Sequence, residues 1–138
     1  MPGMEAASTF TDLRRQEAGS AKRLYAIDAV CTPSSPVTDV QALTELATAA
    51  VRAGGGHVLD TSHVIFPNGA ITLVLILAES HLSIHTWPEE SLIAIDLFSC
   101  GAIDGEAVIS GLVSALRLDA VSVRTLHRGP DPGPGRPG

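Results

Sequence analysis

The chain has 138 residues, of which 45% are hydrophobic and 17% charged, so it can form one domain with a sizeable core and is not a disordered chain. Its formal net charge of -6 lacks the basic excess that is typical of nucleic-acid-binding proteins. Its longest apolar run is too short to span a bilayer, and it starts without a secretory signal pattern. We therefore expect a cytoplasmic protein that binds neither nucleic acid nor membranes.

Lysine and cysteine usage excludes two kinds of chemistry. Lys22 is the only lysine and lies at the start of an apolar run, which is a poor place for a Schiff-base lysine, so pyridoxal phosphate chemistry is nearly excluded. Cys31 and Cys100 form neither a CxxC motif nor a disulfide framework. No histidine cluster completes a ligand pattern, and no metal is predicted.

Composition divides the chain into three parts. Residues 1–21 mix small, polar and charged types without a period, and we predict a flexible leader. Residues 129–138 are mostly proline and glycine, which favour neither helix nor strand, and we predict a disordered tail. The folded domain is then expected over residues 22–128.

Hydrophobic periodicity within the domain predicts the order β-α-β-β-β-β-α-β. The predicted strands span residues 23–31, 57–66, 70–78, 82–85, 92–99 and 120–126. The predicted helices span residues 37–53 and 105–117. The order divides into two βαβ-like halves with one helix each. It favours an α/β (α+β) two-layer sandwich, with a mainly antiparallel sheet and both helices on one face. The other face needs a cover, for which a partner subunit is one option.

Residues 79–89, ESHLSIHTWPE, differ in composition from the rest of the domain. They hold the only tryptophan, two of the five histidines, two serines and two carboxylates, and they directly follow an apolar strand. Polar groups at the end of a buried strand are costly unless they are used or satisfied there. This segment is therefore the candidate site.

Residues 79–89 and the strand end at residues 95–101, IDLFSCG, resemble the bacterial S-adenosylmethionine decarboxylase family. That family's signature reads close to ESHLTIHTWPE, followed by a strand that ends in (V/L)F(T/S)CG. The chain also keeps the twenty-residue step from Ser80 to Cys100. The resemblance extends to the order of helices and strands over residues 22–128 and leaves out both termini.

The resemblance implies a self-processing proenzyme of spermidine biosynthesis. The Ser80 hydroxyl attacks the Glu79 carbonyl, and elimination splits the chain into residues 1–79 and 80–138, with a pyruvoyl group at residue 80. This cofactor forms an imine with the substrate amine and accepts electrons as CO₂ leaves. The implied reaction converts S-adenosylmethionine to its decarboxylated form and CO₂, in a homodimer with sites near the subunit interface.

The same resemblance assigns roles to four further residues. His85 matches a histidine that assists processing as a proton carrier. Cys100 matches a cysteine that returns a proton to the substrate carbon. Thr72 stands where the family usually has a serine that assists cleavage, and it keeps the hydroxyl. Glu89 matches a glutamate that contacts the ribose hydroxyls, a task that suits a carboxylate.

The family also has an aromatic residue that stacks on adenine, and its position here depends on how residues are counted. Counting back from Ser80 gives Phe66, whereas counting from Pro67 gives Ile65. The two counts disagree because the segment of residues 68–78 is one residue longer than is usual in the family. Both positions are kept, with Phe66 as the assignment.

Two alternatives remain open. The same cofactor could act on a basic amino acid, ornithine or arginine, because the stacking position is ambiguous. Alternatively, Thr72 and the longer strand could mark an unprocessed, non-catalytic relative that binds a nucleoside or regulates a partner enzyme. The latter predicts an intact chain.

Overall fold

The computed structural model describes residues 21–130, so the predicted leader and nearly all of the predicted tail lie outside the described residues. Within this range there are six strands, two α-helices and one 3-10 turn. The strands are β1 (Lys22–Cys31), β2 (Val58–Ile65), β3 (Ile71–Leu77), β4 (Ser80–Trp87), β5 (Leu92–Cys100) and β6 (Leu118–Arg128). The helices are α1 (Val40–Ala53) and α2 (Gly105–Ala115), and the 3-10 turn is Pro88–Glu90.

The strands form one sheet in the order β2-β3-β4-β5-β1-β6, and every neighbouring pair is antiparallel. It follows that α1 connects β1 and β2, which run in the same direction, and that α2 connects β5 and β6, which also run in the same direction. The predicted α+β sandwich of an antiparallel sheet and two helices is confirmed.

Both helices begin at capping aspartates. The Asp39 carboxylate accepts hydrogen bonds from the backbone N–H groups of Gln41 and Ala42. The Asp104 carboxylate accepts one from Ala107 N–H. Such caps satisfy donors that have no partner within the helix. The helix predicted from residue 37 therefore begins three residues later, and the second helix ends at Ala115 rather than at residue 117.

The core lies between the helices and one face of the sheet. Alternate residues of the three central strands are fully buried there, as the pleat requires. These are Leu73, Leu75, Leu82, Ile84, Ile95 and Leu97. They belong to one apolar cluster with the buried helix side chains Leu43, Ala47, Val108 and Leu112. Burial of each large apolar side chain contributes about 1.5–3 kcal/mol, so this layer holds the sheet in place.

The opposite face of the sheet, which we call the open face, is covered by neither helix. On β3 and β4 it presents Thr72, Val74, Ile76, His81, Ser83, His85 and Trp87. Several large apolar side chains are exposed along it: Val30, Val64, Phe66, Ile76, Trp87 and Leu126. A sheet face that no helix covers and that exposes large apolar side chains is a candidate interaction surface.

No helix within residues 21–130 has the length and apolar character needed to cross a membrane.

Candidate active site

The bond between Glu79 and Ser80 lies in the tight connection between β3 and β4. Leu77 and Ser80 pair across the two strands, so only Ala78 and Glu79 link them. Ser80 has a φ of 144°, in a region that non-glycine residues rarely adopt. Backbone strain of this kind costs about 1–3 kcal/mol and persists only where the surroundings impose it. The Glu79–Ser80 peptide bond, at which the sequence analysis expects cleavage, therefore lies in a strained turn.

Cys100, the last residue of β5, contacts this turn directly. Its thiol donates a hydrogen bond to the Glu79 carbonyl oxygen over 3.2 Å, and the residue is only 4% exposed. This carbonyl carbon is the one that the Ser80 hydroxyl would attack. A donor placed on its oxygen stabilises the negative charge that develops during such an attack. We call Glu79, Ser80 and Cys100 the cleavage corner.

The Glu79 side chain also belongs to this corner, and its partner has no role in the sequence analysis. The residue is 2% exposed, and its carboxylate accepts the His57 backbone N–H at 2.9 Å and lies 2.8 Å from His57 Nδ1. His57 immediately precedes β2 and is 22 positions away in the chain. No spacing rule connects the two residues. The one signal in the sequence is that a buried carboxylate needs a donor.

A second group of residues lines a cavity of about 530 Å³ on the open face, which we call the face groove. Its lining includes Phe66, Asn68, Thr72, His85 and Trp87. Thr72 Oγ1 lies 3.3 Å from His85 Nδ1, and the two residues pair across β3 and β4. The hydroxyl, which can donate or accept, can therefore orient the imidazole. The Trp87 ring lies 6.2 Å from the His85 ring.

The two candidate stacking positions point to opposite faces of the sheet. Ile65 pairs with Ile71, whose side chain is buried in the core, so Ile65 lies on the helix side of β2. Phe66 lines the face groove together with Trp87 and is 46% exposed. Of the two, only Phe66 offers its side chain to the groove.

Glu89 lies in the 3-10 turn that follows β4, at the rim of the face groove. Asn68, which lines the groove, donates a hydrogen bond from Nδ2 to Glu89 Oε1 over 2.7 Å. This bond lowers the pKa of the Glu89 carboxyl below its ordinary value, because it favours the charged form. A charged carboxylate is thus held by a residue that lines the face groove.

The cleavage corner and the face groove lie far apart within one chain. Ser80 and His85 are five residues apart on the continuous strand β4. At about 3.3 Å per residue they are separated by roughly 17 Å. The structure therefore brings Cys100 to the Glu79 carbonyl that precedes Ser80, and Thr72 to His85, but it does not bring His85 to Ser80.

Metal-ligating groups are dispersed in the described part of the chain. Within residues 21–130, no three His, Cys, Asp or Glu side chains are grouped so that they could hold a metal ion.

Residues 23–129 match the model of the S-adenosylmethionine decarboxylase family. The chain is 42% identical over 94 residues to the S-adenosylmethionine decarboxylase proenzyme of Symbiobacterium thermophilum, a match that covers 67% of this chain and 71% of that protein. It is 41% identical over 76 residues to the S-adenosylmethionine decarboxylase proenzyme 2 of Bacillus anthracis. That match covers 54% of this chain and spans 62% of the length of the Bacillus protein.

The fold also resembles a solved structure. The adenosylmethionine decarboxylase from Aquifex aeolicus superposes with a TM-score of 0.71 at 23% identity. The superposition covers 86% of this chain and 98% of that protein. The two chains share the fold.

Proposed function

The chain belongs to the S-adenosylmethionine decarboxylase family, and on this premise we propose that it cleaves itself between Glu79 and Ser80 and then decarboxylates S-adenosylmethionine. The hydrogen bond from Cys100 to the Glu79 carbonyl, at a turn strained at Ser80, is the observation that carries the proposal. A structural turn needs neither the unusual φ nor a thiol on its carbonyl oxygen. Both serve an acyl transfer.

The cleavage balances without any reagent other than water. The Ser80 hydroxyl adds to the Glu79 carbonyl carbon, and the peptide C–N bond breaks as the ester C–O bond forms, which frees the amine of residue 80. Loss of the α-proton of residue 80 then breaks the ester C–O bond on the side of residue 80. The main-chain carboxylate of Glu79, which becomes the C-terminus of the larger fragment, leaves. Water replaces the amino group, which leaves as ammonia, and residue 80 becomes a pyruvoyl group. The Cys100 thiol stabilises the carbonyl oxygen during the first step.

The cleavage corner fits a group formed at residue 80. Leu82, two residues further on, pairs with Leu75 and with Leu97, so β4 stays anchored on both sides after the chain is cut. When formed, the pyruvoyl group supplies a ketone that binds the substrate amine and takes up the electron pair as CO₂ leaves. The Cys100 thiol contacts the carbonyl of Glu79, the residue next to residue 80, and this contact supports its proposed role as the proton donor to the substrate carbon.

The face groove favours a nucleoside substrate over a simple amino acid. Phe66 and Trp87 offer aromatic faces on which a base can stack. The Glu89 carboxylate, which stays charged because of Asn68, can accept hydrogen bonds from two neighbouring ribose hydroxyls. Ornithine and arginine carry neither a base nor a ribose and would leave these groups unused. S-adenosylmethionine uses all three.

We further propose that the complete site forms between two copies of the chain. Within one copy, His85 lies roughly 17 Å along β4 from Ser80, which is too far for proton transfer. A two-fold dimer that packs open face against open face would set the face groove of one copy against the cleavage corner of the other, and would do so twice. The exposed apolar side chains of the open face, such as Ile76 and Leu126, support such a contact.

Denaturing mass spectrometry of the full chain tests the cleavage. We expect two fragments that separate between Glu79 and Ser80, with the smaller one starting in a pyruvoyl group, and we expect Ser80→Ala to stay whole. An intact 14.3 kDa wild-type chain after long incubation would contradict the proposal and favour the non-catalytic alternative. A Ser80→Ala chain that still splits at this bond would refute the role of Ser80.

Release of labelled CO₂ tests the substrate. The processed protein is incubated separately with carboxyl-labelled S-adenosylmethionine, ornithine and arginine. We expect release from S-adenosylmethionine alone. Release from ornithine or arginine alone would support the proposed cofactor and contradict S-adenosylmethionine as the substrate. It would also show that Phe66 and Glu89 do not form a nucleoside site.

A further inference from the structure

The Glu79 side chain is a buried carboxylate that the cleavage chemistry itself does not use. Only the carbonyl of this residue reacts, yet its side chain is turned inwards and is 2% exposed. A carboxylate in such a place is unfavourable unless donors satisfy it. The donors come from a single residue, His57, through its backbone N–H and its ring nitrogen Nδ1. Since an ionised carboxylate can only accept, this bond corresponds to the His57 tautomer with its proton on Nδ1.

The contact with His57 holds the turn on both sides of Ala78. The Ala78 backbone N–H donates to the His57 carbonyl oxygen over 2.9 Å, while the His57 N–H donates to Glu79 Oε1 over the same distance. The His57 ring adds a third bond, at 2.8 Å. Residue 79 is thereby fixed from its side chain, immediately before the strained Ser80. Its carbonyl oxygen is left facing the Cys100 thiol.

We propose that His57 is a positioning residue for self-cleavage, which acts through the Glu79 side chain. By holding the carboxylate, His57 fixes the orientation of the Glu79 carbonyl towards Cys100 and within reach of the Ser80 hydroxyl. His57 touches none of the reacting atoms, and its side chain is 49% exposed on the outer side of the pair. The inference rests on the proposed self-cleavage and adds a residue to it.

The ring bond can be removed while the backbone bonds stay. His57→Ala keeps the N–H that donates to Glu79 Oε1 and loses only the ring donor. We expect first-order cleavage to slow by about tenfold to a hundredfold, as for the loss of one hydrogen bond to a charged group. His57→Asn places an amide donor near the position of Nδ1, and we expect it to restore most of the rate. His57→Asp places a second carboxylate there and should be the slowest variant.

Two controls separate positioning from folding. His63→Ala removes an exposed histidine of β2 and should cleave at the wild-type rate. Thermal unfolding of Ser80→Ala, with and without His57→Ala, compares uncleaved chains and reports any loss of stability. In a Glu79→Ala chain, cleavage should be slow and His57→Ala should slow it no further, because the residue through which His57 acts is then gone.

The outcomes distinguish this inference from the function on which it rests. Wild-type protein that never cleaves would overturn both the proposed self-cleavage and the role of His57. Cleaving wild type together with folded His57→Ala that cleaves at the same rate would overturn the role of His57 alone. Equal slowing by His57→Ala and His57→Asn, or additive effects of His57→Ala and Glu79→Ala, would also overturn it. The expected result is that His57→Ala slows cleavage, that His57→Asn restores most of the rate, and that His57→Ala has no further effect on the rate in a Glu79→Ala chain.

Discussion

The two ends of β4 differ in how far their functional side chains are buried. At its start, the cleavage corner is closed: Glu79 and Cys100 are almost fully buried, and each is hydrogen-bonded within the same chain. At its end, the face groove is open: Phe66, Trp87 and the neighbouring Glu89 are all exposed. The turn that holds the bond to be cut is thus fixed by contacts within its own chain, whereas on our proposal the proton carrier His85 comes from the second copy. A groove that must receive a substrate, and on our proposal a second subunit, cannot be filled in advance.

The largest effect is expected when the two ends are inactivated in different chains. Ser80→Ala and His85→Ala should each abolish both cleavage and decarboxylation when expressed alone. Co-expressed, they form mixed dimers in which one of the two sites pairs an intact Ser80 with an intact His85. Random pairing then gives about a quarter of the wild-type activity. The products are counted by labelled CO₂ release and the fragments by mass spectrometry.

The fragments identify which chain was cut. Only the chain with His85→Ala should split, since it alone keeps Ser80. Each variant expressed and purified by itself, which should stay intact, is the control. Failure of the mixture to cleave or to release CO₂, with the dimer demonstrated by light scattering, would mean that each site is built within one chain. It would also mean that β4 rearranges to bring His85 and Ser80 together.

A smaller effect is expected when the aromatic side chain of Phe66 is removed from the face groove. Phe66→Ala should raise the KM for S-adenosylmethionine by up to about tenfold, the value of one stacking contact, and leave cleavage unchanged. Ile65→Ala is the matched control, since Ile65 is also exposed, at 55% against 46% for Phe66, but lies on the other side of β2. Steady-state kinetics on fully processed protein checks both. A larger KM change in Ile65→Ala than in Phe66→Ala would reverse the assignment.

The smallest effect is a change in pH dependence. The Asn68 hydrogen bond lowers the pKa of Glu89, so the carboxylate stays charged, and able to bind hydroxyls, to lower pH than an ordinary glutamate. In Asn68→Ala that pKa returns upwards, and binding should begin to fail at a higher pH as the solution is acidified. The measurement is kcat/KM between about pH 4 and 7. Identical pH profiles of kcat/KM for wild type and Asn68→Ala would mean that the charge of Glu89 has no role in substrate binding.

Several features of the molecule were accessible from the sequence. The apolar periodicity predicted both helices and the order of helices and strands along the chain, because burial on one side of a helix or a sheet leaves a repeat in the sequence. The contiguous motif from Glu79 to Glu89 predicted the family, which the family match confirms. Element ends were less accurate. The helix start at residue 37 was wrong because Asp39 caps the helix, and the strand predicted over residues 82–85 is longer at both ends.

The sequence by itself determined the candidate residues for the chemistry, since Ser80 and His85 lie in one local motif and Cys100 follows Ser80 at a fixed step of twenty residues. Only the tertiary structure decided how they are divided in space. Pairing of Leu77 with Ser80 made β4 continuous, and this places His85 roughly 17 Å away along the strand. Strand register likewise put Phe66 on the groove side and Ile65 on the other. The His57–Glu79 pair has no sequence signature, because the contact joins two loops that approach each other only when β2, β3 and β4 assemble into the sheet.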